Sequence, residues 1–461
     1  MYLKTPRWRM LGTAFVVAFT SCRVFSGGFS LYTEGSTVAV GNFAAGVAAE
    51  AADASIGWYN PAGLVLISQQ QLLASGVGVL PSSRLTGVST FATDGQEPYI
   101  QRFTNLQGGK NALVPALHYA LPLGERAAFG FSLISPFGLS TDYATTSPVR
   151  YEATLTELMT VNASPELAGR LTRHLSVGAG LDLQWAQVKF NQVLGIPTIL
   201  QSGGLNPTSF DSTSNNRGRS FGVGFHAGVL AVFDDNHTRI GLNYQSRMNH
   251  TFHGTSTLTG ILADPDLSRT AVFRSDSLYS NGMALPEVVT LSAYRDVSAR
   301  TAWLASVVYT GWSVFDTTQL NHVAAFSPDF DGLVLLDVFN PQNYKNTWRF
   351  ALGMNHRLTD QWLLRMGAGY DQTPTVNSAR DVRLPDADRW ALSVGAHYQM
   401  RPNLGWDVGY TYLFAADKAQ VNKTNPLGTG AYYQVTALAN VHAQLIGLQV
   451  VWMIDKEWAA S

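Results

Sequence analysis

Leu404-Gly405-Trp406-Asp407-Val408-Gly409-Tyr410-Thr411-Tyr412 carries large apolar or aromatic side chains at every even position and Gly, Asp, Gly and Thr at the odd ones. A repeat of two is the side-chain period of a β-strand, so one face of this segment seeks an apolar neighbour and the other a polar one. The same alternation returns in residues 389–398, 348–354, 362–370 and 177–185. Against bulk water the polar face of a strand usually collects Lys, Glu and Thr. Here it holds Gly, Ser, Asn, Gln and isolated charges, which suits a confined polar lumen.

Working outward, strands are expected near residues 70–80, 112–122, 126–134, 157–171, 175–191, 219–234, 237–250, 285–297, 300–315, 346–358, 361–371, 388–400, 403–414 and 440–453. Their number is even. Tight turns such as Gly124-Glu125, Arg173-His174, Asp235-Asn236, Thr359-Asp360 and Arg401-Pro402 join alternate pairs, and every other connection is long. Short turns on one side and long loops on the other are the habit of outer-membrane barrels. Trp348, Trp362, Trp390, Trp406, Tyr398 and Tyr410 are expected near strand ends as interfacial girdles. The expected fold is therefore all-β: a 14-stranded antiparallel transmembrane barrel over residues 69–454, with a tail at 455–461.

The N-terminus fixes the compartment. Lys4, Arg7 and Arg9 precede an apolar run from Met10 to Thr20 that is too short to span a bilayer, and Val24-Phe25-Ser26 resembles a cleavage site. Residues 1–26 read as a signal peptide. The alternative is a weak lipoprotein box at Phe19-Thr20-Ser21-Cys22. Cys22 is the sole cysteine, so the mature chain would carry no thiol. Losing Lys4, Arg7, Arg9 and Arg23 moves the formal charge from -1 to -5, which gives no reason to expect nucleic acid. With no apolar run of about 18 residues after the signal, a helical membrane protein is excluded.

Residues 27–63 are rich in small side chains and end in Trp58-Tyr59-Asn60-Pro61-Ala62-Gly63. Gly41, Ala44, Ala45, Gly46, Ala48, Ala49, Ala51 and Ala52 make a slender, helix-prone stretch that fits inside a narrow lumen, and Asn60-Pro61 forces a turn. We read residues 27–68 as a partly helical hatch within the barrel. The simpler alternative is a short periplasmic helix before it.

Several motifs in order carry a resemblance: Gly27-Gly28-Phe29, the hatch leading to Asn60-Pro61-Ala62-Gly63, Ser135-Pro136-Phe137-Gly138-Leu139, Gly241 to Ser246, Leu285-Pro286-Glu287, Gly311-Trp312 and Leu384 to Arg389. The chain resembles the FadL-type outer-membrane transporters of long-chain fatty acids and other hydrophobic compounds. The resemblance implies capture by outer loops, an internal pocket and sideways release into the bilayer beside a kinked third strand. It places Phe29 and Leu31 against ligand, the Asn60-Pro61-Ala62-Gly63 end beside the gap, and the kink at Pro136, Phe137 and Gly138. Proline removes a ladder donor there and glycine loosens the strand.

For capture, Ile196, Ile199 and Leu200 after the fifth strand and Leu258, Ile261, Leu262 and Phe273 after the seventh are expected as exposed apolar groups. Strand parity turns Asp182, Arg349, Arg365, Asp371, Arg389 and Asp407 inward, where they pair with each other, hold Glu50 and Asp53 of the hatch, or meet a ligand carboxylate. Parity turns Lys189 outward. The expected partners are a hydrophobic small molecule and the surrounding outer-membrane lipid and lipopolysaccharide, with the chain a monomer and no cofactor or metal.

Other classes compete. A loop-based adhesin or receptor barrel would use the long connections, and a polar porin would leave its lumen unplugged. A lipid hydrolase would need a nucleophile. Gly218-Arg219-Ser220-Phe221-Gly222 fits G-x-S-x-G but opens a strand, where that motif has no meaning.

Overall fold

The structure, a computed structural model, describes residues 29–327, 332–428 and 430–454. The expected signal peptide and C-terminal tail lie outside them. Fourteen antiparallel strands close into a barrel. The first seven are β1 Gln70–Thr93, β2 Ala112–Pro122, β3 Ala127–Ile134 continued by Gly138–Asp142, β4 Leu155–Arg170, β5 Leu175–Leu194, β6 Ser212–Phe233 and β7 Thr238–Gln245. The rest are β8 Val288–Ser298, β9 Thr301–Thr310, β10 Thr347–Arg357, β11 Trp362–Asp371, β12 Arg389–Arg401, β13 Leu404–Ala415 and β14 Ala431–Ile454. β14 pairs with β1 along the whole of both strands, from Gln70 opposite Ile454 to Thr93 opposite Ala431, which removes the sheet edge.

The period-2 pattern has the expected two faces. Outward on β12 stand Trp390, Leu392 and Val394, each at least half exposed, while Ala391 and Ser393 are buried inside. Aromatic girdles mark the two interfaces. Tyr309 with Trp348 and Tyr370 with Trp390 pair at ring distances of 5.1 and 4.9 Å at the outer ends, and Trp362 with Tyr398 at 4.6 Å at the turn ends. Tyr410, expected at a strand end, sits in the middle of β13.

Above the membrane the sheet continues further than the sequence pattern shows. β1 and β14 run well beyond residues 80 and 440, and the long connections contain ribbons: Tyr99–Gln107, His253–Gly260 with Ala271–Ser280, Thr317–Ser327 with Gly332–Pro341, and Ala419–Pro426. Outside the bilayer neither face contacts lipid, so polar residues fall on both and the alternation fades. The segment read as one strand at 237–250 is also broken: Met248–His250 leaves the wall and pairs with Met283–Leu285 as a separate inner hairpin.

Residues 29–68 fill the lumen. Helix α1, Thr37–Asn42, starts at Ser36, whose Oγ accepts the Val38 N–H at 3.2 Å, and stops at Phe43 with φ 56°. Helix α2, Ile56–Tyr59, is followed by a 3₁₀ turn at Pro61–Leu66. The alanine-rich stretch between them is not the expected helix, because Ala44, Gly46 and Ala51 have positive φ and its backbone bonds the wall. Ser306 Oγ accepts from Gly46 N at 2.8 Å and donates to the Ala44 carbonyl at 2.9 Å, and Ser292 Oγ accepts from Ala48 N at 3.1 Å. Small wall residues permit the approach: a Cβ on Gly367 would lie 2.2 Å from the Asn42 carbonyl oxygen.

Candidate functional site

β3 is interrupted where the sequence loses a donor. Its first part pairs with β2 up to Leu133 opposite Leu117, and its second part, Gly138–Asp142, pairs with β4 alone. The chain just before β2 touches β3 again where Gly109 stands opposite Thr141 and Asp142 N donates to the Gly108 carbonyl at 2.9 Å. Ala112 to Ala116 of β2 therefore face a window in the wall. Backbone groups at membrane depth must be satisfied from within the protein. Thr160 Oγ1 accepts from Phe137 N at 3.0 Å and donates to the Phe137 carbonyl at 2.6 Å. The hatch supplies the rest: Leu31 N donates to the Pro136 carbonyl and Gly138 N to the Phe29 carbonyl, both at 2.9 Å. Ser30 thus stands opposite Phe137 as a one-residue strand.

Phe29 and Leu31 flank that bridge and are 3% and 2% exposed. The Phe29 ring meets Trp312 at 4.6 Å, Phe315 at 5.1 Å and Phe137 at 6.2 Å, all edge to face. Leu31 packs behind the window against Val79 and Val114. On its other side Phe29 lines a cavity with about 880 Å³ of void, part of it open to solvent. Leu139, Leu158, Phe190, Leu320, Val338 and Leu384 are among its apolar lining, and Glu157, Asn340, Asp381 and Arg383 among its polar lining. Arg383 Nη1 lies 3.2 Å from Asp381 Oδ2 and 3.8 Å from Glu152 Oε1. Burial pushes the Glu152 carboxyl up to about 8; Asp381 acts the same way, while Arg383 and Lys423 oppose it.

Sequence reasoning did not select Arg383, Phe315, Trp312 or Tyr344 as site residues. Trp312 stood in a quoted motif, but nothing in that motif told a ligand contact from a packing aromatic. Arg383 and Tyr344 lie in long connections with no repeat to orient them.

The Asn60-Pro61-Ala62-Gly63 end does not face the window, contrary to expectation. Asn60 is fully buried against β6, its Nδ2 donating to the Ala48 carbonyl at 2.8 Å and the Val229 carbonyl at 3.0 Å while its Oδ1 accepts from Ala62 N at 3.2 Å. Ser176 Oγ on β5 donates to the Ala62 carbonyl at 2.9 Å. Pro61 and Ala62 lie close over Gly178 of β5, and Ile56 fills the space beside Gly63. The geometric reason is the short reach of the chain from this turn to Gln70 at the turn end of β1, which keeps the turn low in the barrel while the window lies higher.

The inward charges mostly pair with each other. Arg365 Nη1 meets Asp407 Oδ1 at 2.9 Å and Arg389 Nη2 meets Asp371 Oδ2 at 3.0 Å. Arg349 donates to Thr33 Oγ1 at 2.5 Å and lies over the Phe43 ring at 3.8 Å, so it holds the hatch. Asp182 accepts from Ser164 Oγ at 2.6 Å and sits 3.1 Å from His226 Nδ1, whose Nε2 is 3.2 Å from the Gly57 carbonyl. Glu50 and Asp53 are held by amides: Asn355 Nδ2 donates to Glu50 at 2.6 Å and Gln449 Nε2 to Asp53 at 2.8 Å. None of the six inward charges lines the apolar cavity.

The loop residues chosen for capture are largely covered. Leu258 and Leu262, 0% and 2% exposed, form a small core above the membrane with Phe273 packed against it. Leu200 is buried and Ile199 exposed on the short helix α3, Pro197–Ser202, with Ile196 just before it. Ile261 begins a 3₁₀ turn and is partly covered. The expected exposed landing surface is absent at Leu258 and Leu262 because they pack in one cluster with Ala324 of the ribbon Thr317–Ser327 and with Phe273 and Phe326.

The family described as "Outer membrane protein transport protein (OMPP1/FadL/TodX)" matches residues 17–453. The chain belongs to the FadL family. It is thus an outer-membrane β-barrel of a transport family and not of an enzyme family. Among similar FadL-family proteins, the long-chain fatty acid transport protein of Escherichia coli O6:H1 is 28% identical over 441 residues, covering 91% of this chain and 93% of that one. Outer membrane protein P1 of Haemophilus influenzae is 29% identical over 449 residues, covering 90% and 93%. Among solved structures, a Pseudomonas aeruginosa FadL homologue superposes with a TM-score of 0.78 at 23% identity, covering 93% of this chain and all of that one. The Ralstonia pickettii toluene transporter TbuX gives 0.60 at 19%, covering 92% and 99%, and supports the fold alone.

Proposed function

We propose that the chain takes up long-chain fatty acids: the ligand enters from the outer loops, lodges in the cavity that Phe29 lines, and leaves sideways through the window between β2 and β3. The observation that carries the reading is the Phe29–Leu31 segment, which lines the cavity with one residue and fills the kink with the next two. A ligand that displaces Phe29 also loosens the cover on the window. Each buried methylene contributes about 0.8 kcal/mol, so release into the bilayer keeps a long chain out of water throughout.

A fatty acid is favoured by the relatives named long-chain fatty acid transport proteins; Arg383 is already paired with Asp381 and Glu152, so a carboxylate head would exchange with one of them. Residues of a single chain line the cavity, so a monomer suffices. The test is uptake of a labelled long-chain fatty acid, toluene and a small sugar by cells lacking and carrying the gene. Fatty acid uptake should rise with the gene. A rise in sugar flux alone would point to a polar porin, and no rise in any to a loop-based receptor.

A further inference from the structure

The outer interface of the barrel is built in two ways. On β9 to β12 it is aromatic, with Tyr309, Trp348, Tyr370 and Trp390 at the outer strand ends. On β5 and β6 it is cationic. Along β6 the outward positions Phe221, Val223, Phe225, Val229 and Phe233 are apolar and 40–62% exposed, as a lipid-facing band requires. The next two outward positions toward the outside are Arg219 and Arg217, both exposed.

Lys189 of β5 stands directly across from Arg217, and His253 of the neighbouring ribbon across from Arg219. Like charges placed opposite each other destabilise a ladder, so this patch has a cost that an anion would relieve. Among the described residues the wall supplies one carboxylate to Lys189 and none to the two arginines. Lys189 has Glu157 at 2.8 Å, on its far side from Arg217. Arg217 donates only to the neutral Gln187 Oε1, at 2.7 and 3.2 Å, and among the described residues no carboxylate pairs with Arg217 or Arg219. Asp276, on the ribbon beyond, is paired with Arg274 at 2.6 Å.

We propose that Lys189, Arg217 and Arg219 form a docking site on the lipid-facing wall for a phosphorylated glycolipid of the outer leaflet. The guanidiniums are suited to grip a phosphate with paired N–H donors. The acyl chains then lie on Phe221, Val223 and Phe225 below. A glycolipid fits better than a free anion because the charged and apolar surfaces are continuous on one strand. The proposal rests on the long loops facing outward and not on the route taken by transported ligand.

The test compares the full-length protein with an Arg217→Gln/Arg219→Gln variant in detergent, titrated with bis-phosphorylated lipid A and followed by native mass spectrometry. The variant should bind about tenfold more weakly, in keeping with lost charge-assisted hydrogen bonds, while retaining heat-modifiable mobility and normal fatty acid uptake. Dephosphorylated lipid A should bind the unaltered protein as weakly as the variant binds lipid A. Arg274→Gln should bind as the unaltered protein does. Equal binding by the double variant, an equal loss on Arg274→Gln, or equally strong binding of phosphatidylglycerol or inorganic phosphate would overturn the proposal. Uptake is read separately, so its failure would count against the transport route and leave this site standing.

Discussion

Between Phe29 and Leu31 the hatch touches the wall through aromatic edges, one leucine and two backbone hydrogen bonds, whereas from Thr33 to Asn60 it is fixed by side-chain polar groups from around the barrel. Arg349 holds Thr33, His118 Nε2 meets the Gly35 carbonyl at 2.9 Å, Ser75 meets Thr37 at 2.9 Å, and Asn355, Gln449 and Asn60 complete the set. Apolar contact is non-directional, so a hydrophobic ligand can replace it at little cost. A buried hydrogen bond has no such substitute, and leaving one partner unpaired costs about 1–3 kcal/mol. One end of the hatch is therefore built to exchange contacts with a ligand and the other to stay where it is.

The largest expected effect breaks the movable end. Deleting residues 27–31 should lower fatty acid uptake by about tenfold or more, the equivalent of at least one step of 1.4 kcal/mol, while heat-modifiable electrophoretic mobility shows the barrel intact. Next comes the fixed end. Asn60→Ala removes three hydrogen bonds and leaves buried carbonyls at Ala48 and Val229, so hatch docking should weaken by about 2–4 kcal/mol and limited proteolysis should cut within residues 43–63. Gly367→Ala should weaken docking by about 1–3 kcal/mol, because its Cβ meets backbone that cannot swing away.

The smallest effect is one of pH. Glu34, beside the movable end, is fully buried with both carboxylate oxygens unbonded. Burial pushes its carboxyl up to about 7; Arg349 and Arg389 oppose this and Asp371 adds to it. A raised folded-state value means that the neutral form stabilises the docked hatch below the ordinary carboxylate range, and that this contribution is lost as pH rises through about 7. Protease sensitivity of the hatch should therefore increase between about pH 4.5 and 7 and level off above, and Glu34→Gln should flatten the change.

The barrel was legible wherever lipid touches one face and the lumen the other, because that contrast writes a period of two into β10 to β13. It was illegible above the bilayer, where strand residues 82–93 carry Ser and Thr on both faces. Asp182, Arg349, Arg365, Arg389 and Asp407 are buried and Asp371 pairs with Arg389, but strand parity carries no information on such partners. Asp371 and Arg389 sit on adjacent strands, while the amides holding Glu50 and Asp53 come from β10 and β14. The hatch was recognised from its small residues, and its path was not, because the positive φ values at Phe43, Ala44 and Ala51 answer to wall glycines and serines far away in sequence.

The most direct test locks the movable end in place. Ser30 and Phe137 stand opposite each other across the kink, and the mature chain read from the sequence has no other thiol, so Ser30→Cys/Phe137→Cys offers one disulfide to form. Uptake of a labelled long-chain fatty acid is then measured in oxidised and reduced cells. Loss of uptake on oxidation and recovery on reduction is the predicted result. Uptake that proceeds unchanged with the disulfide closed would contradict the account, because ligand would then be leaving by a path that does not pass Phe29 and the window beside β3.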